Sequence, residues 1–292
     1  MTTDYRIRAT AADGLLRMVA VNTTVTAREA QRVHEAWPLA AAAMGRLLSV
    51  AAILAGDLKS HSSRITVEVD GNGPLGRVVA EGQGSQRLRA RVQHPHVELP
   101  LRNDGKLDVG QAVGTDGTFR IIRESSPGEW YQSQVALTSG EIGDDFLHYL
   151  VQSEQIPSAV SVGVLISAEG LVMASAGVMV QALPGCPASV VEDVAARFQA
   201  LDQISRQVAE GANLESLIRQ VVPEPIHWAA PETLTWACWC NRTSVTEALK
   251  ALPTHDLEEL IGDGGAEVTC HFCRQRYHFS AKELAALGGD HG

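Results

Sequence analysis

The sequence predicts an α+β protein: a mainly antiparallel sheet domain with packed helices over 1–183, a helical connector over 184–235, and a small four-cysteine module over 236–292. Three observations carry this reading. Strand-like alternation, broken by Gly-, Pro- and Asp-rich turns, fills the first part of the chain. At Leu183-Pro-Gly-Cys-Pro187 the pattern stops, and Val191, Val194, Phe198, Leu201, Ile204 and Val208 follow at helical spacing. Four of the five cysteines fall in the last 55 residues, as two close pairs.

Taken in order, Thr26-x-x-Glu29 reads as a capping box opening a helix that ends at Trp37-Pro38, and Leu39 to Leu58 continues as a second, small-residue helix. The apolar stretch Leu39 to Gly56 carries Arg46 in its middle, so it is expected to be buried rather than to span a membrane. Residues Arg64-Ile-Thr-Val-Glu-Val-Asp70 alternate as a half-buried strand, and Gly71-Asn-Gly-Pro-Leu-Gly76 turns the chain into Arg77-Val-Val-Ala80, making a hairpin. Further strands are expected at Gln86 to Val92, Thr118 to Arg123 and Gln132 to Thr138. Gly143 to Gln155, with Phe146, Leu147 and Leu150 on one side, reads as a helix stopped near Pro157. Val160 to Ile166 and Leu171 to Val180 then flank an Ala168-Glu-Gly170 turn. In the connector, Gly211, Pro223, Pro225 and Pro231 interrupt the helical pattern, which predicts short helices of marginal stability.

Composition narrows the function classes. Hydrophobic residues make up 45% and charged residues 20% of the 292, the range of a folded globular chain. Lys and Arg number 24 against 34 Asp and Glu, and the resulting −10 disfavours partners held by bulk positive charge, nucleic acid and anionic lipid among them. The acidity is concentrated late: 186–292 hold 8 basic and 15 acidic residues. Met1-Thr-Thr-Asp-Tyr-Arg6 shows no basic-then-apolar secretory pattern, so a cytoplasmic location and no membrane partner are expected.

The cysteines read Cys238-Trp-Cys240, 29 residues, then Cys270-His-Phe-Cys273. In a reducing compartment such pairs suit one tetrahedral Zn2+ held by four thiolates at roughly 2.3 Å, one ion per chain. The two-residue gap forms an ordinary zinc knuckle, and the one-residue gap is the distinctive half. Ser244-x-x-Glu247 is expected to cap a helix ending at Pro253, and a second short helix runs to Gly262-Asp-Gly-Gly265. Glu267 to Thr269 then forms a strand, Tyr277-His-Phe279 another, and Ser280-x-x-Glu283 caps a last helix through Leu287. So small a zinc-binding module has too little core to fold unaided, and structural zinc supplies roughly 10–16 kcal/mol. Spacing alone is also satisfied by a static zinc ribbon. His271 and His278 read as surface or packing residues, and four thiolates leave no vacant position for zinc hydrolysis.

With these residues in view, the chain resembles the heat-shock protein 33 family of bacterial redox-regulated holdase chaperones over nearly its whole length. The C-x-C, spacer, C-x-x-C signature falls on Cys238, Cys240, Cys270 and Cys273. Further similarity lies in Ile65-Thr-Val-Glu-Val-Asp-Gly-Asn-Gly-Pro74, Tyr131-Gln, Ser153-Glu-Gln-Ile-Pro157 and Ala248-Leu-Lys-Ala-Leu-Pro253. The resemblance implies an ATP-independent chaperone, not an enzyme, inactive while its thiolates hold zinc. It implies that oxidation pairs Cys238 with Cys240 and Cys270 with Cys273, releases zinc and unfolds module and connector. Val191, Phe198, Leu201 and their neighbours would then be exposed to unfolding client proteins, and the resemblance admits a homodimer on oxidation. Cys186 lies outside the motif and reads as a boundary thiol.

Other patterns are weaker. Gly71-x-Gly73-x-x-Gly76 matches a dinucleotide fingerprint in letters only, since no helix is expected after it and Pro74 sits inside it. His94-Pro-His96 lacks a third ligand. No Gly-x-Ser-x-Gly or Gly-Lys-Ser/Thr pattern occurs, so enzyme readings have no anchor. The main alternative is a zinc-ribbon nucleic-acid-binding protein, though 236–292 carry only 5 basic residues against 8 acidic, with Arg274 and Arg276 as a small cationic spot. A thiol oxidoreductase using Cys270 and Cys273 is a third reading; its motif usually opens a helix in a βαβ unit.

Overall fold

Two six-stranded sheets organise the first part of the computed structural model, which describes residues 3–126 and 128–287. The chain opens with a hairpin of β1 (Tyr5–Ala11) and β2 (Leu16–Asn22), followed by α1 (Thr24–His34) and α2 (Pro38–Ala55). Then come β3 (Arg64–Asp70), β4 (Val78–Gln83), β5 (Arg87–Val92), α3 (Val109–Val113), β6 (Thr118–Ser126), β7 (Glu129–Ala136) and α4 (Ile142–Gln152). The hairpin β8 (Ser158–Ile166) and β9 (Val172–Ala182) precedes α5 (Ala188–Gln199), α6 (Ile204–Ala209) and α7 (Leu214–Val221). Short strands β10 (Ile226–Trp228), β11 (Glu232–Thr233) and β12 (Thr235–Trp236) complete the unit Met1–Ala237.

The first sheet runs β10-β1-β2-β9-β8, with β11 also on β1, and the second runs β12-β5-β4-β3-β6-β7. Every pairing is antiparallel except that of β12 with β5, so the expected α+β class with a mainly antiparallel sheet holds. Helix α2 is apolar all round because it is surrounded. Leu47, Leu48 and Ile53 cluster with Val21 and Met179 of the first sheet and with Ile65, Val67 and Val78 of the second. Its length and composition would suffice to cross a membrane, but its side chains face protein instead.

The first hairpin escaped the sequence reading, although Tyr5, Ile7, Ala9 and Ala11 alternate with polar residues. It corrects one expectation. Thr26-x-x-Glu29 does not cap α1: the Asp4 carboxylate accepts from Val25 N at 2.8 Å, Thr26 N at 2.7 Å and Thr26 Oγ1 at 2.6 Å. Glu29 instead pairs with Arg32 at 2.7 Å. A distant acceptor brought in by β1 satisfies the free N–H groups that a local cap would otherwise take. The Gly71–Gly76 segment is the expected hairpin turn between β3 and β4. Its glycines serve close backbone approach, since a Cβ on Gly71 would lie 2.2 Å from Gly114 O.

Helices α5, α6 and α7 cover the face of the first sheet opposite α2. Val194, Ile204, Leu214, Leu217, Ile218 and Val221 are buried there with Ile7, Leu16, Met18, Val178 and Val180. Of the residues picked out by spacing, Val208, Phe198 and Leu201 are only half-buried on the rim of this cluster. Beyond α7 the chain is pinned by a buried ion pair: the Arg6 guanidinium, 2% exposed, meets Glu232 at 2.5 Å and donates to Ala52 O at 2.7 Å.

The second unit, Cys238–Gly292, contains α8 (Arg242–Lys250), α9 (Thr254–Gly262), the hairpin β13 (Gly265–Thr269) and β14 (Arg276–Ser280), and α10 (Ala281–Leu287). Its core is Leu249, Leu257, Phe279 and Leu284. Residues 288–292 of the predicted module lie outside the described residues.

Candidate metal centre

Local structure brings the two cysteine pairs to one place. Cys270 and Cys273 occupy the turn of the β13–β14 hairpin, closed by Cys270 N donating to Gln275 O and Arg274 N to Cys270 O, both at 2.9 Å. Arg274 takes a left-handed backbone at φ 60°, which a non-glycine residue adopts only at some cost and which bends the knuckle back on itself. Cys238 and Cys240 lie immediately before α8. The predicted Ser244-x-x-Glu247 cap is replaced here: Asn241 Oδ1 accepts from Ser244 N at 2.8 Å, and Ser244 Oγ accepts from Asn241 N at 3.1 Å. The box sits three residues earlier than expected and fixes the chain beside Cys240. The Ser280/Glu283 box forms as expected, with Ser280 N donating to Glu283 Oε2 at 2.8 Å. Arg242 ties the two helix starts together, pairing with Glu283 at 2.6 Å and lying 4.2 Å over the Phe279 ring.

The Sγ atoms of Cys238, Cys240, Cys270 and Cys273 all lie within 4.8 Å of one another. Cys238 and Cys270 are 3.8 Å apart and Cys240 and Cys273 3.3 Å. Four sulfurs at roughly 2.3 Å from one tetrahedral ion would be about 3.8 Å apart, so the cluster fits such an ion. The Tyr277 hydroxyl donates to Cys240 Sγ at 3.2 Å. Desolvation pushes the Cys240 thiol up, opposed by the hydrogen bonds from Tyr277 and Cys273, and desolvation raises Cys273 as well. Four sulfurs this close repel one another as thiolates, and a compensating cation is what a bound metal supplies. The set can therefore hold a metal ion.

The remaining candidates lie apart from the sulfur cluster. His278 faces Glu267 at 3.3 Å with 72% of its side chain exposed, and His271 is exposed. Cys186 is half-buried in the first unit, on the rim of the cluster beneath α5–α7. His96 packs against Trp37 with ring centroids 5.6 Å apart. By sequence Tyr277 is a strand residue with no assigned role. Its position four residues after Cys273, at the start of the strand that leaves the knuckle, is the signal that could have found it.

Comparison with known proteins places this geometry. The family model described as Hsp33 protein matches residues 4–280. The chain belongs to the Hsp33 family. Relatives within it include the 33 kDa chaperonin of Bacillus subtilis (strain 168), 36% identical over 285 residues and covering 97% of this chain and 98% of the relative. The 33 kDa chaperonin of Lacticaseibacillus casei (strain BL23) is 38% identical over 291 residues, covering 99% of each. Among solved Hsp33 structures, the 33 kDa chaperonin (heat shock protein 33 homolog) of Thermotoga maritima superposes with a TM-score of 0.88 at 33% identity, covering 98% of both chains.

Proposed function

We propose that this chain is a redox-regulated, ATP-independent holdase chaperone whose switch is the four-cysteine cluster. Membership of the Hsp33 family supports the chaperone, and the meeting of four sulfurs in a module with a small apolar core supports the switch. Zinc, when bound, holds Cys238, Cys240, Cys270 and Cys273 as thiolates and cross-links the two ends of the module. Thiolates are the form that oxidants attack. With hydrogen peroxide, one sulfur attacks a peroxide oxygen, the O–O bond breaks, and the departing hydroxide takes a proton to leave as water. A neighbouring thiolate then displaces the sulfenic hydroxyl, which leaves as a second water once protonated, and the S–S bond forms. Two such reactions oxidise all four sulfurs. The pairing within each knuckle, Cys238 with Cys240 and Cys270 with Cys273, is the one the family resemblance implies.

Without its cross-link the module loses most of the free energy that folds it. In this reading unfolding spreads into α5–α7, and the consequence is larger than the helices themselves. Their release bares both their own buried residues, Val194, Leu217 and Ile218 among them, and the sheet face of Ile7, Met18 and Val178 that they cover. Contiguous apolar surface of that kind binds unfolding proteins and holds them from aggregation. The reading places the chain in the reducing cytoplasm and admits a homodimer of the oxidised form. The net charge of −10 gives a nucleic-acid reading no support.

The test is zinc release to a chromogenic chelator, followed alongside light scattering of a heat-aggregating client, before and after mild peroxide. Release coinciding with suppression of aggregation, reversed by reductant and zinc, is the expected result. Release with no gain of client holding would leave a static structural site and overturn the switch.

A further inference from the structure

The second sheet ends on β7, which pairs only with β6 among the described residues. From Trp130 to Ala136 it reads Trp-Tyr-Gln-Ser-Gln-Val-Ala, with no charge and no proline, and its register with β6 is regular from Thr118/Ala136 to Glu124/Trp130. Edge strands are ordinarily blunted by lysine, proline, a bulge or short length. Over this stretch those guards are missing, and the bulge lies beyond it, between Glu124 and Ser126.

Which backbone groups face outward follows from the register. Leu137 N donates to Gly117 O at 3.0 Å, so these opposed residues form a hydrogen-bonded pair. Alternation from there turns the N–H and C=O of Val135, Ser133 and Tyr131 toward β6, and those of Trp130, Gln132, Gln134 and Ala136 away from it. Among the described residues nothing bonds these outward groups.

The edge is open to solvent, since every residue of β7 but Ser133 and Val135 is exposed. Helix α4 packs across one face of the strand rather than along its edge: the Tyr149 hydroxyl lies 2.6 Å from Ser133 Oγ, and its ring stands 5.8 Å from that of Phe119 in β6. Tyr131, 54% exposed, shares the face of Ser133, and Trp130, 53% exposed, lies on the opposite one. A half-exposed aromatic ring thus flanks the edge on each side. Val135 anchors β7 in the main core, and among the described residues no part of the second sheet belongs to the cluster beneath α5–α7, so the edge persists when those helices leave. The turn before β7, Glu124-Ser-Ser-Pro-Gly-Glu129, carries two carboxylates and no cation.

We infer that β7 is a strand-addition site, open in both redox states, whose occupant is an extended segment of an unfolding protein that runs antiparallel to β7 and has basic residues at its C-terminal end. Main-chain bonds to Trp130, Gln132 and Gln134 supply affinity. The two aromatic rings cover apolar side chains that alternate to either face, and the carboxylates of the turn select the basic end. A second copy is the weaker occupant: an eight-residue edge is about 27 Å long, and pairing it with itself buries about 500 Å², half of what a specific dimer needs. On a client the same strip is supplemented by the apolar surface that α5–α7 release, and two weak grips on one chain reinforce each other. The inference deepens the holdase reading, from which it takes its occupant, by adding a first grip that needs no oxidation.

The test uses the full-length protein, reduced with zinc and oxidised, and a synthetic peptide of about ten alternating valines and threonines ending in two lysines. Amide hydrogen exchange is followed residue by residue. At saturating peptide, exchange at Trp130, Gln132 and Gln134 should slow by at least about tenfold in both states, while Tyr131, Ser133 and Val135, already bonded to β6, stay unchanged. Gln132→Pro removes one outward N–H where an edge strand tolerates proline, and should abolish the slowing at Trp130 and Gln134. The double variant Glu124→Lys with Glu129→Lys keeps every outward N–H and should weaken the lysine-ended peptide about tenfold at low salt while strengthening a glutamate-ended one. Unchanged exchange at Trp130, Gln132 and Gln134, or slowing in the oxidised protein alone, would overturn the inference; if the oxidised protein still suppresses client aggregation in that case, the holdase reading stands without it. Protection that appears without peptide and grows with protein concentration would assign the edge to a second copy and equally overturn it.

Discussion

Leu284→Ala should weaken metal binding by the whole cost of the cavity it leaves in the second unit's core, because in the proposed reading folding and metal binding of that unit are one reaction. Leu284 is 0% exposed and shares its cluster with Leu249 at 5%, Leu257 at 6% and Phe279 at 4%. Leucine-to-alanine changes in protein cores cost about 2–5 kcal/mol, and a core this small, roofed by short helices, collapses readily, which points to about 2–3 kcal/mol. At 1.36 kcal/mol per factor of ten this is an apparent affinity roughly 30- to 150-fold lower. Competition against a chromogenic chelator, with circular dichroism on the same samples, reads both quantities. Leu48→Ala, also at a 0% exposed position but in the first unit, is the control: it should lower that unit's stability and leave metal affinity alone. If Leu284→Ala destabilises the module while metal affinity stays within about twofold of wild type, coupling of folding to metal is refuted.

Other consequences are equally open to measurement. Tyr277→Phe removes the hydroxyl that donates to Cys240 Sγ at 3.2 Å, a bond worth about 1 kcal/mol, so peroxide-driven metal release should quicken about fivefold, read with a chelator in stopped flow. Glu232→Ala leaves the 2% exposed Arg6 guanidinium with only Ala52 O and should cost the first unit about 3 kcal/mol in denaturant titrations. Desolvation raises the Asp4 carboxyl above its ordinary value despite its bonds from Thr26 and Val25. A raised carboxyl contributes stability that is fully present below the unfolded-state value and is lost as pH rises through the folded one. The advantage of wild type over Asp4→Asn should therefore be greatest in acid and shrink as pH climbs through that raised value, as thermal melts across the range would show.

Much of this was legible in the chain because it depends on neighbours in sequence. The β3–β4 hairpin was announced by alternation and a glycine turn, α2 by an unbroken small apolar run, and the Ser280/Glu283 box by three-residue spacing. The cysteine spacing marked the four sulfurs before any fold was known. The helix-cap expectations failed for one reason. The caps expected at Thr26 and Ser244 lost to better-placed acceptors, Asp4 just before β1 and Asn241 three residues upstream. Local signals state which groups need partners, and only the assembled chain decides which partner arrives.

By itself, then, the sequence determined the α+β class, the helical spacing beneath α5–α7 and the identity of the sulfur cluster, since hydrophobic period and ligand spacing are written along the backbone. Tertiary structure alone decided that α5–α7 share a core with Ile7, Met18 and Val178, that Arg6 is locked to Glu232, that Tyr277 reaches Cys240, and that β7 is left at an edge. Each of these joins residues far apart in the chain or depends on which strand has no neighbour. Such facts come from closure of the sheets, where burial and hydrogen bonding are satisfied globally rather than residue by residue.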